Sequence, residues 1–153
     1  MDKIMRLCVA LLAAATLFPA VAIAANTDNP NSFRPIEIGG PAEQGVYEAA
    51  AAQTFKGGTS KCDMVALDAA GQVVLATATS GALLGCAAAS ATATTPGDTV
   101  YVYDDPAQIY EAQTSGVYAI TMRSLLVDIE GPTGIQEVNE DASLKGVLVI
   151  VEG

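Results

Sequence analysis

Thr99–Thr114, TVYVYDDPAQIYEAQT, decides the reading of this chain. Val100 and Val102 alternate with Tyr101 and Tyr103, a two-residue period in strong strand formers. Asp104-Asp105-Pro106 breaks the run, because Pro106 donates no ladder hydrogen bond and pushes Asp105 out of helical geometry. Ile109-Tyr110-Glu111-Ala112 resumes the strand pattern. The stretch reads strand, sharp turn, strand, and holds three of the chain's five tyrosines.

Working backward, Cys62–Leu67, Gln72–Thr79 and Ala82–Ala88 read as three strands. Asp68-Ala69-Ala70-Gly71 is a turn with Gly last, and Ser80-Gly81 a second tight turn. The expected meander places Ala66 opposite Val73, Met64 opposite Leu75, Leu75 opposite Cys86 and Thr77 opposite Leu84. One face is then Met64, Ala66, Val73, Leu75, Leu84 and Cys86, and the other Val65, Leu67, Val74, Ala76, Leu83 and Ala87. Both faces are apolar, so the sheet is expected to be covered on both sides. In this order Cys62 and Cys86 lie two strands apart, roughly 9.5 Å. A disulfide needs under about 7 Å, so two buried free thiols are expected.

Val46–Phe55 balances four alanines against Val46, Tyr47, Thr54 and Phe55, and is read as strand over helix. Pro35–Ile38 reads as a short strand. Ser90–Asp98 is a loop turning at Pro96-Gly97. Val117–Leu126 is left open between a short helix and a strand. Leu125–Ile129 is a strand candidate, Gly134–Lys145 a polar loop, and Val147–Val151 a central strand. About eight to ten short strands between Gly and Pro turns make an all-β domain, a barrel or a sandwich, with at most one short helix.

The chain divides into three parts. Residues 1–25 carry Lys3 and Arg6, then an apolar run ending in Ala20-Val21-Ala22-Ile23-Ala24, with two A-x-A cleavage patterns. This reads as a cleaved secretory signal; a membrane anchor and an N-terminal arm that imitates a signal remain alternatives. Residues 26–40 read as an extended, mobile arm, and residues 41–153 as a single β-rich domain. The whole chain of 153 residues has a formal charge of −10. Beyond residue 25 there are five Lys and Arg against sixteen Asp and Glu, a net −11. That balance argues against nucleic acid and against an anionic membrane surface.

The chain has no histidine. Ser–His and Cys–His nucleophile systems are therefore excluded, and so is the commonest transition-metal ligand. No GxSxG, phosphate loop or CxxC occurs. Asp104 and Asp105, adjacent at a turn, point in different directions and do not form a glycosidase pair. Asp104, Asp105 and Glu111, or Asn139-Glu140-Asp141, could bind Ca²⁺ together with backbone oxygens, but neither group has the EF-hand pattern, and turn caps and solvated acids are the expected roles. The expectation is a non-enzyme with no cofactor, no metal and no small-molecule substrate.

One resemblance joins these pieces. Ser32-Phe33-Arg34-Pro35, Thr54-Phe55-Lys56-Gly57-Gly58, Gly81-Ala82-Leu83-Leu84-Gly85, and Val100–Pro106 running into Ile109-Tyr110-Glu111-Ala112-Gln113 follow one another in the order found in capsid decoration, or cement, proteins of tailed bacteriophages. The D-P-x-x-x-Y-E-x-Q spacing at Asp105–Gln113 is the most specific element, and the chain resembles that family over roughly residues 31–153. The link Gly57–Asp63 is longer than the family's Gly-Asp step. The resemblance implies a small β-barrel or tulip-like domain whose copies, often trimers, bridge major capsid protein subunits on the virion surface. The contact residues it suggests are Phe33, Arg34, Pro35 and Ile36 of the arm, adding a strand to a neighbouring chain. Tyr101, Tyr103 and Tyr110 are added as interface aromatics, with packing inside the chain's own barrel as the alternative. If residues 1–25 act as a signal, the second reading is an exported periplasmic or surface β-module that binds a protein or sugar.

Overall fold

The computed structural model describes residues 31–36, 44–140 and the backbone of 148–149. The signal-like segment, the arm before Asn31, residues 37–43, and the remainder of the C-terminal strand and of the polar segment before it lie outside the described residues. The fold is all-β, built on a closed five-stranded barrel. The sole described helical element is one 3-10 turn, Ile120–Met122.

The barrel strands are β2 (Gln44–Ala49), β4 (Met64–Leu67), β5 (Val73–Leu75), β6 (Leu83–Ala87) and β8 (Asp98–Tyr103), in the spatial order β2-β5-β4-β6-β8. Val46–Phe55 is strand, as read, but broken into β2 and β3 (Gln53–Phe55) by a turn in which Ala52 has φ +58°. β3 pairs with β7 (Ala91–Ala93). Inside the barrel are Ala49, Val65, Val73, Ala87, Val100 and Val102, joined by Phe55 and Ala93 from the β3–β7 pair. Apart from Phe55 these side chains are small, which lets five short strands close around them.

The opposite face of β4 and β6 is also buried. Cys62, Met64, Ala66, Cys86 and Tyr103 pack against Phe33 and against Val127, Ile129 and Val138. The last three come from β10 (Leu126–Glu130) and β11 (Glu137–Asn139). The doubly apolar sheet is therefore covered on both sides, as its sequence demanded. β10 is flanked by β11 and by β12 (Leu148–Val149). The final apolar strand thus lies at the edge of a small sheet, not at its centre. β11 falls inside the segment read as a polar loop, where alternation is too short to register.

The meander order is corrected. β4 sits between β5 and β6, and β6 pairs with β4 instead of β5. The cause is local. Ser80 N–H donates to Thr77 C=O at 2.9 Å, and Thr77 N–H to Ser80 Oγ at 2.9 Å. This self-satisfied turn leaves β5 without returning along it, and the chain crosses to the free edge of β4. The β4–β5 register also differs by one residue: Leu67 faces Val73 and Val65 faces Leu75. Asp68 Oδ1 accepts from both Ala70 N–H and Gln72 N–H, with Gly71 at φ +78°, so the loop is one residue longer than the four-residue turn expected. A one-residue slip reverses the faces of β5. Val73 and Leu75 accordingly belong to the barrel interior and Val74 to the outer layer.

Strand order also overturns the expectation for the cysteines. Met64 pairs with Cys86, which brings Cys62 onto the neighbouring strand end. Their Cα atoms are 5.7 Å apart and the two residues form a disulfide, fully buried. The two-strand separation assumed a β4-β5-β6 order that the crossing removes. Gly85, beside the bridge, is required by packing: a Cβ there would stand 1.9 Å from the Tyr103 carbonyl oxygen.

Candidate partner-binding surface

The arm and the opening stretch meet. β8 does not form a hairpin with β9 (Ile109–Glu111). Asp104–Pro106 turns the chain away, and β9 pairs with β1 (Arg34–Ile36). The turn is held by Asp105, whose Oδ1 accepts from Ala107 N–H at 2.8 Å and whose carbonyl accepts from Gln108 N–H at 3.0 Å. Asp104 accepts from the Tyr47 hydroxyl at 2.6 Å, which raises the Tyr47 phenol above its ordinary pKa. The two acids are thus occupied in shaping a corner.

Arg34 pairs in register with Glu111, and their exposed side chains form an ion pair. Pro35 faces Tyr110, and Gln108 Nε2–H donates to the Ile36 carbonyl at 2.7 Å. Phe33 is buried; its ring meets Tyr110 edge-on at 6.5 Å, and its backbone exchanges hydrogen bonds with Cys62 at 3.0 and 2.7 Å. Arg34–Ile36 therefore add a strand to the chain's own β9, while Phe33 bridges to Cys62. Phe33 is a core residue and not an exposed contact.

The tyrosines divide. Tyr103 is buried under the β10–β11 layer. Tyr110 is half-buried and donates to the Tyr103 carbonyl at 3.3 Å. Burial first, then the charges of Asp105 and Asp104, push its phenol up to about 12. Only Tyr101, 47% exposed, presents a broad surface; it pairs across strands with Val46, 65% exposed. A second exposed apolar group, Val117, Ile120, Leu125 and Leu126, surrounds the 3-10 turn. Of the seven suggested contact residues, Arg34, Ile36 and Tyr101 are exposed, Pro35 and Tyr110 partly so, and Phe33 and Tyr103 are enclosed. Among the described residues, no group of three or more His, Cys, Asp or Glu is placed to hold a metal ion.

The polar centre of the fold was not foreseen. Asp63, fully buried, accepts from Ser32 Oγ–H at 2.6 Å, Lys56 N–H at 2.8 Å and Gly134 N–H at 2.8 Å. Gln136, also fully buried, accepts from Met64 N–H at 2.6 Å and donates to the Ala76 carbonyl at 2.9 Å. Gln136 N–H donates to Ser32 Oγ at 3.2 Å. These bonds tie the arm, the end of β3, the barrel and the β10–β11 turn together. The one visible signal was Asp63 itself, a carboxylate inside the otherwise apolar run Cys62–Leu67. Compared with known proteins, the chain matches no family model, no curated protein and no solved structure.

Proposed function

We propose that the chain is a structural binding protein that decorates an assembled phage capsid and bridges major capsid protein subunits. One observation carries this reading. The two stretches most like cement proteins, Ser32–Pro35 and Asp105–Gln113, are 70 or more positions apart in sequence and close on each other as the β1–β9 clasp. Residues with no catalytic geometry but mutual structural dependence suit a module retained for shape. Its acidic, histidine-free surface with exposed Ile36, Tyr101 and Val46 suits contact with a large protein face. The test is co-sedimentation of the protein with shells assembled from the major capsid protein encoded beside it. Saturable binding at a fixed ratio per shell is expected; absence of the chain from the shell fraction refutes the proposal.

The buried Cys62–Cys86 disulfide favours a second reading, an exported β-module that binds a protein or sugar. Structural disulfides persist in oxidising compartments and are rare in the cytosol. Together with the signal-like residues 1–25 it makes export the natural competitor. N-terminal sequencing of protein from cells separates the two: a start near Ala25 in an exported fraction favours the module, and an intact Met1 in a cytoplasmic particle removes it.

A further inference from the structure

Four exposed apolar side chains are gathered in residues 117–126: Val117, 83% exposed, Ile120, 64%, and Leu125 and Leu126, each close to half. The segment is held at both ends. Before it, Thr114 bridges to Val138, and Ser115 N–H donates to the Val138 carbonyl at 2.9 Å. After it, β10 enters the core through Val127 and Ile129, and Leu126, at the alternate position, faces out. Between the two ends, the N–H groups of Met122, Arg123 and Leu125 donate to the carbonyls of Ala119, Ile120 and Met122 at 2.8, 3.3 and 3.0 Å. Ser124 takes φ +68°, a left-handed conformation that a residue other than glycine seldom adopts. These overlapping turns make a compact knob, so the backbone itself presents the apolar side chains.

Its charge differs from that of the rest of the molecule. No acid stands between Glu111 and Asp128, and Arg123 is the single charged residue of that run. Arg123 is exposed, and the one ion pair among the described residues is Arg34–Glu111. At the root of the knob, the Glu140 carboxylate is buried and accepts from Ser115 Oγ–H at 3.2 Å. Apolar side chains, one arginine and no carboxylate are the composition of the middle of a protein–protein contact, where arginine is enriched and acids are depleted.

We propose that residues 117–126 are the footing by which the domain docks on the capsid shell, and that the shell face they meet is apolar with a carboxylate opposite Arg123. This names the contact surface for the capsid-decoration reading and rests on that reading. Charge selects the occupant. Arg123 is matched by an acid on the partner, and the run holds no acid to repel it. An isologous second copy would set Arg123 against Arg123 across the axis, between two chains of formal charge −10. An anionic bilayer would repel the remaining acidic surface.

The test is co-sedimentation of the full chain with shells of the major capsid protein, with the urea midpoint of each variant as the check on folding. Ile120→Asp should weaken shell binding at least about tenfold, as truncation of a central contact residue does. Leu67→Asp, at a residue exposed on β4, should leave it unchanged. Arg123→Glu should weaken binding more at low salt than at high salt, because the repulsion it introduces is screened. An arginine-specific dicarbonyl, with its product at Arg123 read by peptide mass, gives a footprint on the unmodified chain. Arg123 should react readily in the free chain and be protected on the shell.

Shell binding that survives Ile120→Asp in a folded variant overturns the proposal and leaves the capsid reading standing. So does an Arg123 that reacts equally on and off the shell. Protection of Arg123 in the free chain also overturns it, because the knob is then occupied by the chain itself or by a second copy. Absence of the unmodified chain from the shell fraction removes the capsid reading and this proposal with it. If Ile120→Asp fails to fold, the footprint on the unmodified chain decides.

Discussion

Reduction of Cys62–Cys86 is expected to destabilise the barrel by about 3.4 kcal/mol. The bridge closes a loop with a sequence separation of 24. On the chain-entropy account, opening that loop returns about 11.6 cal/mol/K to the unfolded ensemble, hence roughly 3.4 kcal/mol at 25 °C. For a domain of this size that is a fall in melting temperature of about 13 °C. Both cysteines are fully buried, and the bridge joins the segment leading into β4 to β6, two strands that share both layers of the core. Reductant therefore reaches the sulfurs only when the wall opens. The assay is urea unfolding followed by intrinsic tyrosine fluorescence, with and without a phosphine reductant equilibrated through the unfolded state. The midpoint should fall and the slope should rise modestly, because the reduced unfolded chain exposes more surface. A second measurement follows thiol appearance under native conditions; its rate should become independent of reductant concentration once opening limits it. A loss below about 1 kcal/mol, or native reduction that rises in proportion to reductant without limit, would refute the reasoning.

Two further outcomes follow from the interior. Asp63→Ala removes the acceptor of three hydrogen bonds and should cost about 3 kcal/mol, read as a shifted urea midpoint. Asp63→Asn, which retains one acceptor oxygen, should cost less. Tyr110 is held protonated to about pH 12, above the ordinary 10.0. Its stabilising contribution is present below pH 10 and is lost as pH rises toward 12, because the unfolded state releases the proton first. Tyr110→Phe should abolish that part of the alkaline decline, and an unchanged decline would count against the assignment.

The alternation in β8, the corner at Asp104–Pro106 and the two apolar faces of the β4–β6 region follow from residue type alone. Each depends on neighbours within a few positions, where propensity and period act directly. The contact residues were less readable. Tyr101 and Tyr103 occupy the same face of one strand, yet Tyr101 is exposed and Tyr103 lies under the β10–β11 layer, 24 or more positions further along the chain. Nothing local separates them. Asp63 and Gln136 were equally hidden, because their partners Ser32, Lys56 and Gly134 come from three separate regions.

Thr99–Thr114 set the class of the molecule: strand-forming alternation broken by an Asp-Pro corner admits little besides a β fold. Strand neighbours were decided by the tertiary structure. A tight turn determines where a strand ends, and the uncovered edge it next reaches is a property of the whole assembly. The crossing at Thr77–Ser80 brought β6 to β4, and with that one choice Cys62 and Cys86 came within bonding distance. The same logic turned the corner at Asp105 toward the arm and away from β8, and joined two distant stretches in one clasp. Local chemistry specifies the strands, while the burial of both faces at once specifies their order.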